Sequence, residues 1–234
     1  MLLVHELGGN HLSWRPLQSA LSERWHTYAV DLRGYGLSEK PLGRREIEDY
    51  AADLAAFVEV LGLGRVDVVG AAMGAIIATA LAGTQRNLVR RLVCIDGADA
   101  MTEDAKRYNY ERAEKVRALG MRAVMAPSLA NSFPEAYADL RRAYQATYLA
   151  NDPVAYAEAS EALCRMSVDY GRVEAPTLVI TGAHDFIWPP MVGKALTDRI
   201  KGARFEVLTE AGHFPHIQTP DECFRLIAAF FDSA

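Results

Sequence analysis

The sequence predicts an α/β fold, a mostly parallel sheet flanked by helices, with one all-helical insertion. Three observations carry this. Short runs of valine, leucine and isoleucine recur along the chain, each four or five residues long, as in strands buried on both faces. Helical stretches separate them, and such alternation implies right-handed crossovers between parallel strands. The alternation then lapses between about residues 101 and 172, where no strand is evident and Pro127, Pro134 and Pro153 punctuate a helical run.

The elements follow in order. The first run, residues 2–5, ends in His5 and the glycine-rich turn "ELGG". The second, residues 27–31, leads into "DLRGYGLSEKP", a charged turn in which Asp31, Arg33 and Ser38 are suited to fixing a loop. Next comes a clear amphipathic helix. Ile47, Tyr50, Ala51, Leu54, Phe57, Val58 and Leu61 recur at spacings of three and four, with Glu48, Asp49, Asp53 and Glu59 opposite. Gly62 then supplies the left-handed residue that ends a helix. Residues 66–69 form the third strand, and "AMGAIIATALA" after it reads as a helix of small and aliphatic residues. Runs at 92–96, 177–181 and 205–208 complete the set. The insertion follows the fourth run, above the C-terminal strand ends where α/β proteins bind ligands. It holds seven of the ten tyrosines, and although packing accounts for any one of them, the segment as a whole reads as a lid. The expected division is a core of residues 1–100 and 173–234 with a cap of residues 101–172.

A chain of 234 residues with 50% hydrophobic content can build one domain with a substantial core. Its 25 basic and 30 acidic residues are well mixed and leave a net charge of −5, which gives no footprint for nucleic acid and no polybasic membrane anchor. Cys94, Cys164 and Cys223 are odd in number and widely separated, so they read as buried or free thiols of a reducing compartment. No apolar run approaches the roughly 18 residues of a membrane span. "MLLV" is too short for a signal segment. A cytoplasmic protein is expected, with a small-molecule substrate as its partner and homo-oligomerisation left open. No set of His, Cys and carboxylates has metal spacing, and no cofactor is implied.

Chemistry concentrates at strand ends. In "VVGAAMGA", residues 68–75, Gly70 and Gly74 stand at the spacing of a G-x-S-x-G nucleophile elbow, but Ala72 occupies the serine position. One such glycine pair is expected by chance; its place between an apolar strand and a small-residue helix gives it weight. "LVITGAHD" ends a later strand with Asp185, and "LTEAGHFPHIQTP" ends the last with His213. Elbow, acid, histidine is the triad order of one fold.

In these motifs the chain resembles the α/β-hydrolase superfamily over nearly its whole length. The phrases "NDPVAYAEASEAL" and "VEAPTLVITGAHD" are most similar to the lid-bearing enol-lactonases, 3-oxoadipate enol-lactonase among them, and related esterases. The resemblance implies an enzyme cleaving a small ester, lactone or related carbonyl compound. It puts Ala72 at the nucleophile position, Asp185 behind His213, and the backbone N–H groups of Leu7 and Met73 in the oxyanion hole. Asp96, at the end of the strand before the insertion, is an alternative acid that some relatives use. His5 is expected to shape its turn through hydrogen bonds. His184 and His216 neighbour the active pair and are expected to be structural or surface groups. His11 and His26 lie by surface turns. Of the insertion's Arg107, Arg112, Arg117, Arg122, Arg141, Arg142 and Arg165, one could meet a substrate carboxylate.

Three departures from the family pattern stand out. Ala72 replaces serine. Glu6 stands where the family's "HG" motif has glycine, and a carboxylate there repels an oxyanion unless it points away or is protonated. The resemblance implies an N-terminal hairpin before the first strand, which is expected here either to be absent or to lie ahead of a sequence that begins late. Position 72 leaves three readings: a serine hydrolase with its nucleophile replaced; a native serine-less enzyme using His213 as general base, with Glu6 as partner acid; and a non-catalytic binder.

Overall fold

The computed structural model describes residues 1–233. The first half alternates as β1 (Leu2–Val4), α1 (Arg15–Ser22), β2 (Tyr28–Val30), α2 (Ile47–Val60), β3 (Val66–Ala71), α3 (Met73–Thr84) and β4 (Val89–Ile95). Four helices follow: α4 (Glu103–Leu119), α5 (Arg122–Ser132), α6 (Ala138–Leu149) and α7 (Pro153–Cys164). The alternation then resumes with β5 (Thr177–Gly182), α8 (Pro190–Arg199), β6 (Arg204–Leu208), the short α9 (Pro215–Gln218) and α10 (Pro220–Ser233).

The six strands form one sheet in the order β2-β1-β3-β4-β5-β6, every neighbouring pair parallel. Successive strand residues face opposite sides, which creates two cores. Leu2, Val4, Val68, Leu92 and Val179 pack with α2 and α3 on one face. Leu3, Val69, Val93, Leu178 and Ile180 pack with Leu17 of α1 and with Ile227, Phe230 and Phe231 of α10 on the other. The edge strand β2 is only three residues long, so it offers little free ladder to another chain.

Strand β4 starts at Val89, three residues before the apolar run begins. Arg90 and Arg91 interrupt that run, yet both guanidiniums bind the buried Asp67 carboxylate of β3, with Nε–Oδ1 distances of 2.9 and 2.8 Å. Their charge is matched across the strand pair, so it does not break the ladder.

Between residues 101 and 172 the described elements are all helical. Thr102 caps α4 by accepting from the Ala105 N–H, and Asp152 caps α7 by accepting from Val154 and Ala155, with Pro153 preset in the first turn. Pro127 does not separate two helices as the sequence suggested; it lies inside α5, which runs through it. These helices share an apolar cluster that includes Val116, Leu129, Phe133, Tyr144 and Tyr156, joined by Phe214 and Ile217 from the core. No helix among the described residues is long and apolar enough to cross a membrane. The three cysteines are free and buried.

Candidate active site

The turn between β3 and α3 has the shape its glycines suggest. Ala72 sits at φ 50°, ψ −115°, a conformation that costs a non-glycine residue on the order of 1–3 kcal/mol. Neighbouring backbone holds it there. A Cβ on Gly70 would lie 2.3 Å from the Gly74 carbonyl oxygen, and one on Gly74 would lie 2.1 Å from that of Val4. Only glycine permits helix α3 to start this close to β1. Met73 opens α3, so its N–H has no partner within the helix. The Leu7 N–H, in the turn after β1, likewise meets no acceptor among the described residues.

The turns after β5 and β6 bring Asp185 and His213 together. His213 Nδ1 donates to Asp185 Oδ2 at 2.7 Å, which leaves Nε2 as the imidazole's free nitrogen. Asp185 Oδ1 accepts from the N–H groups of Ile187 and Trp188 at 2.7 and 3.0 Å, so the carboxylate cannot rotate away. The histidine is held in turn. Its N–H donates to the Ser132 carbonyl, and Gln218 bridges the same carbonyl to the Gly212 N–H. Trp188 and Phe214 pack against the ring at centroid distances of 5.4 and 5.0 Å.

Asp96 stands beside this pair, fully buried and at φ 45°. Its Oδ1 accepts from the Gly182 N–H at 3.0 Å, and its Oδ2 has no hydrogen-bond partner. Burial, and then the Asp185 charge, push its carboxyl well above the usual carboxylate range, which favours its neutral form. One donor atom from each of Asp96, Asp185 and His213 lies within 4.8 Å of the others. Hydrogen bonds engage most of this set: His213 Nδ1 is turned onto Asp185, and Asp185 Oδ1 and Asp96 Oδ1 serve three backbone N–H groups, with Asp96 Oδ2 left over.

At the oxyanion turn Glu6 is engaged through its carboxylate by three donors of its own chain. It is fully buried, and its carboxylate takes hydrogen bonds from Ser13 Oγ at 2.7 Å, from the Tyr144 hydroxyl, and from His216 Nε2 at 3.2 Å. Burial alone would raise its pKa. The His216 hydrogen bond and charge, then His5 and Tyr144, outweigh burial and bring the value from 4.5 down to about 2. A depressed carboxylate contributes stability that is full above its unfolded pKa and is lost as pH falls through the folded value. Glu6 is therefore expected to contribute roughly 3 kcal/mol above pH 4.5, fading between pH 4.5 and about 2. Urea denaturation of the native chain and Glu6→Gln checks this: the variant's stability should vary less across that window. Equal slopes would mean that Glu6 titrates normally.

The remaining histidines divide by burial. His5 Nε2 accepts from the Leu32 N–H, so Nδ1 carries the proton and donates to the Glu6 carbonyl, fixing the turn. His216 is buried against Trp14, whereas His184 is exposed. His11 joins Asp31, which also accepts from the Leu37 N–H and so pins the second turn. Tyr144 and the His216–Glu6 pairing are features that sequence reading does not find, since 138 and 210 residues separate the partners.

A cavity of about 420 Å³ opens between the core and the inserted helices, with Leu7, Ala72, Met73 and His213 on its floor side and Tyr108, Arg112, Leu129 and Tyr148 among its other walls. That size suits a small ligand. A strand-turn-helix of this form beneath such a cavity defines the hydrolases of the α/β-hydrolase fold. The chain belongs to that family: the family model described as alpha/beta hydrolase fold matches residues 1–220. It is 29% identical to the 2-(acetamidomethylene)succinate hydrolase of Mesorhizobium japonicum, over 100% of this chain and 88% of that one. It is 26% identical to the pyrrolizixenacetamide deacetylase of Xenorhabdus hominickii, over 98% and 90%. Among solved structures, the enol-lactonase from Burkholderia xenovorans LB400 superposes with a TM-score of 0.94 at 26% identity, covering 99% of this chain and 90% of that one.

Proposed function

We propose that this chain hydrolyses a small ester, lactone or related carbonyl compound in the cytoplasm, with the Asp185–His213 pair moving the proton. The observation that carries the reading is the 2.7 Å bond between these two side chains, made at the wall of the cavity that also holds the elbow. The substrate carbonyl oxygen would face the N–H groups of Leu7 and Met73, at the start of a helix whose dipole favours developing negative charge. The Ala72 methyl has neither proton nor lone pair to offer, so water is the nucleophile. As its oxygen bonds to the carbonyl carbon, its proton passes to His213 Nε2; the imidazolium then returns a proton to the departing oxygen or nitrogen as the acyl bond breaks. An ionised Glu6 holds no proton to give and takes no part. The helices of residues 101–172 serve as a lid that keeps bulk water from the cavity. Relatives named as a succinate hydrolase, a deacetylase and an enol-lactonase support a small carbonyl substrate.

The methyl at position 72 also favours a second reading, a binder that keeps the pocket without the reaction. Assays on aryl esters and enol-lactones, with His213→Ala alongside, separate the two. Hydrolysis that falls at least about 100-fold in His213→Ala fits the proposal. Activity indifferent to that change would sink it, and ligand binding with no turnover would leave the binder.

A further inference from the structure

The arginines of the inserted helices are almost all accounted for by carboxylates. Arg107 pairs with Asp104, Arg117 with Glu161, Arg141 with Glu135, Arg142 with Asp139 and Arg165 with Glu46. Arg122 is exposed to water. In the core, the buried Arg45 is matched by Glu158. Arg112 breaks this pattern. It lines the cavity, no carboxylate of the described residues lies within ion-pair distance, and its Nε is closed off from solvent without any acceptor.

Its surroundings are arranged rather than accidental. Asn109 Oδ1 and Ser160 Oγ both accept from Nη2, which orients the guanidinium without neutralising it. The Tyr108 and Tyr156 rings stand at 5.5 Å on the guanidinium carbon and hold the plane in place. Ser128 Oγ, another cavity-lining group, is buried and also lacks a hydrogen-bond partner. A largely enclosed cation that its own chain leaves unpaired is costly unless a ligand supplies the counter-charge.

We infer that Arg112 is the anchor for a carboxylate on the substrate, at the end of the molecule remote from the reacting carbonyl. This rests on the proposed hydrolysis in the same cavity and adds the chemical class of its substrate: a carbonyl compound that also bears a free carboxylate. With Nη2 engaged by Asn109 and Ser160, Nη1 is the terminal nitrogen left to donate a charge-assisted hydrogen bond to a carboxylate oxygen. Tyrosines link the two ends of the cavity. Tyr148 packs on Gly8, next to the Leu7 turn, and its hydroxyl bonds the Tyr156 hydroxyl at 2.8 Å; Tyr156 in turn lies beside Arg112.

The test is binding, which does not depend on turnover. The native chain is titrated by NMR with monomethyl succinate and with dimethyl succinate at low ionic strength. The anion is expected to bind at least about tenfold more tightly than the neutral diester. Arg112→Met should abolish that preference, and Arg112→Lys should retain only part of it. The comparison of probes on the native chain stands even where a variant fails to fold. Equal affinity for the two probes, a preference that survives Arg112→Met, or no binding of either would overturn the assignment. Failure of the hydrolytic reading shows separately, as absent or His213-independent turnover with the anion preference intact.

Discussion

Replacing Ala72 by serine is expected to raise the turnover of simple aryl esters by roughly 10,000-fold or more, because loss of the nucleophile in a working triad costs on the order of a million-fold. The elbow needs no rebuilding to receive the hydroxyl. Position 72 already holds φ 50°, and the close approaches at Gly70 and Gly74 keep it there. His213 presents Nε2 as its free nitrogen, since Nδ1 is spent on Asp185. The Glu6 carboxylate, the one group that could oppose an oxyanion, is occupied by Ser13, Tyr144 and His216. The variant should also show a burst of phenol release and a mass increase equal to one acyl group. A folded Ala72→Ser protein with less than tenfold gain and no acyl adduct would mean that position 72 and His213 are out of register.

Within that serine background, Asp185→Asn is expected to lower turnover by a factor on the order of 1,000 to 10,000, the scale seen when a triad acid becomes an amide. The asparagine oxygen would still accept from Ile187 and Trp188, which turns the amide NH2 toward His213. Nδ1 would then have to be the acceptor, moving the ring's proton to Nε2, the nitrogen that must take one up. Asp96→Asn has no such consequence. Burial already favours the neutral form of Asp96, and an amide oxygen can keep the bond from the Gly182 N–H. Its loss should stay within about tenfold. Steady-state rates of the two variants on one ester decide the matter, and the reverse ranking would make Asp96 the acid.

Much of this was legible because it is local. The elbow is written in eight consecutive residues, and each strand announces itself by a run that two covered faces require. Asp185 and His213 are far apart in sequence but lie in turns directly after parallel strands, so the fold alone brings them to one end of the sheet. Other features depend on pairs that no short window contains. The start of β4 was hidden by Arg90 and Arg91, whose charges make sense only beside Asp67. Pro127 looked like a boundary because its cost to a helix is local, whereas the packing of Val124, Leu129 and Phe133 that carries α5 through it is not. The Glu6 network needs Tyr144 from one segment and His216 from another. Arg112 was one of several candidates, since lacking a partner is a property of space and leaves no mark on spacing.

The bond from Tyr144 to Glu6 also bears on how the cavity is roofed. Near the end of α6, Asn151 donates to the Gly8 carbonyl at 2.8 Å, so two attachments fasten one helix to one turn. Ser132, at the end of α5, is fastened to the His213 turn in the same manner. Helix α4 differs: Arg112 and Arg117 tie it to Ser160 and Glu161 of α7, not to the sheet. Helices α5 and α6 are thus bonded to the turns that carry the site, whereas the side-chain bonds of α4 named here run to another inserted helix. Two turns of the core, those of Glu6 and His213, therefore double as the anchor points of the inserted helices, so a substitution in either turn would loosen the cavity roof as well as the floor.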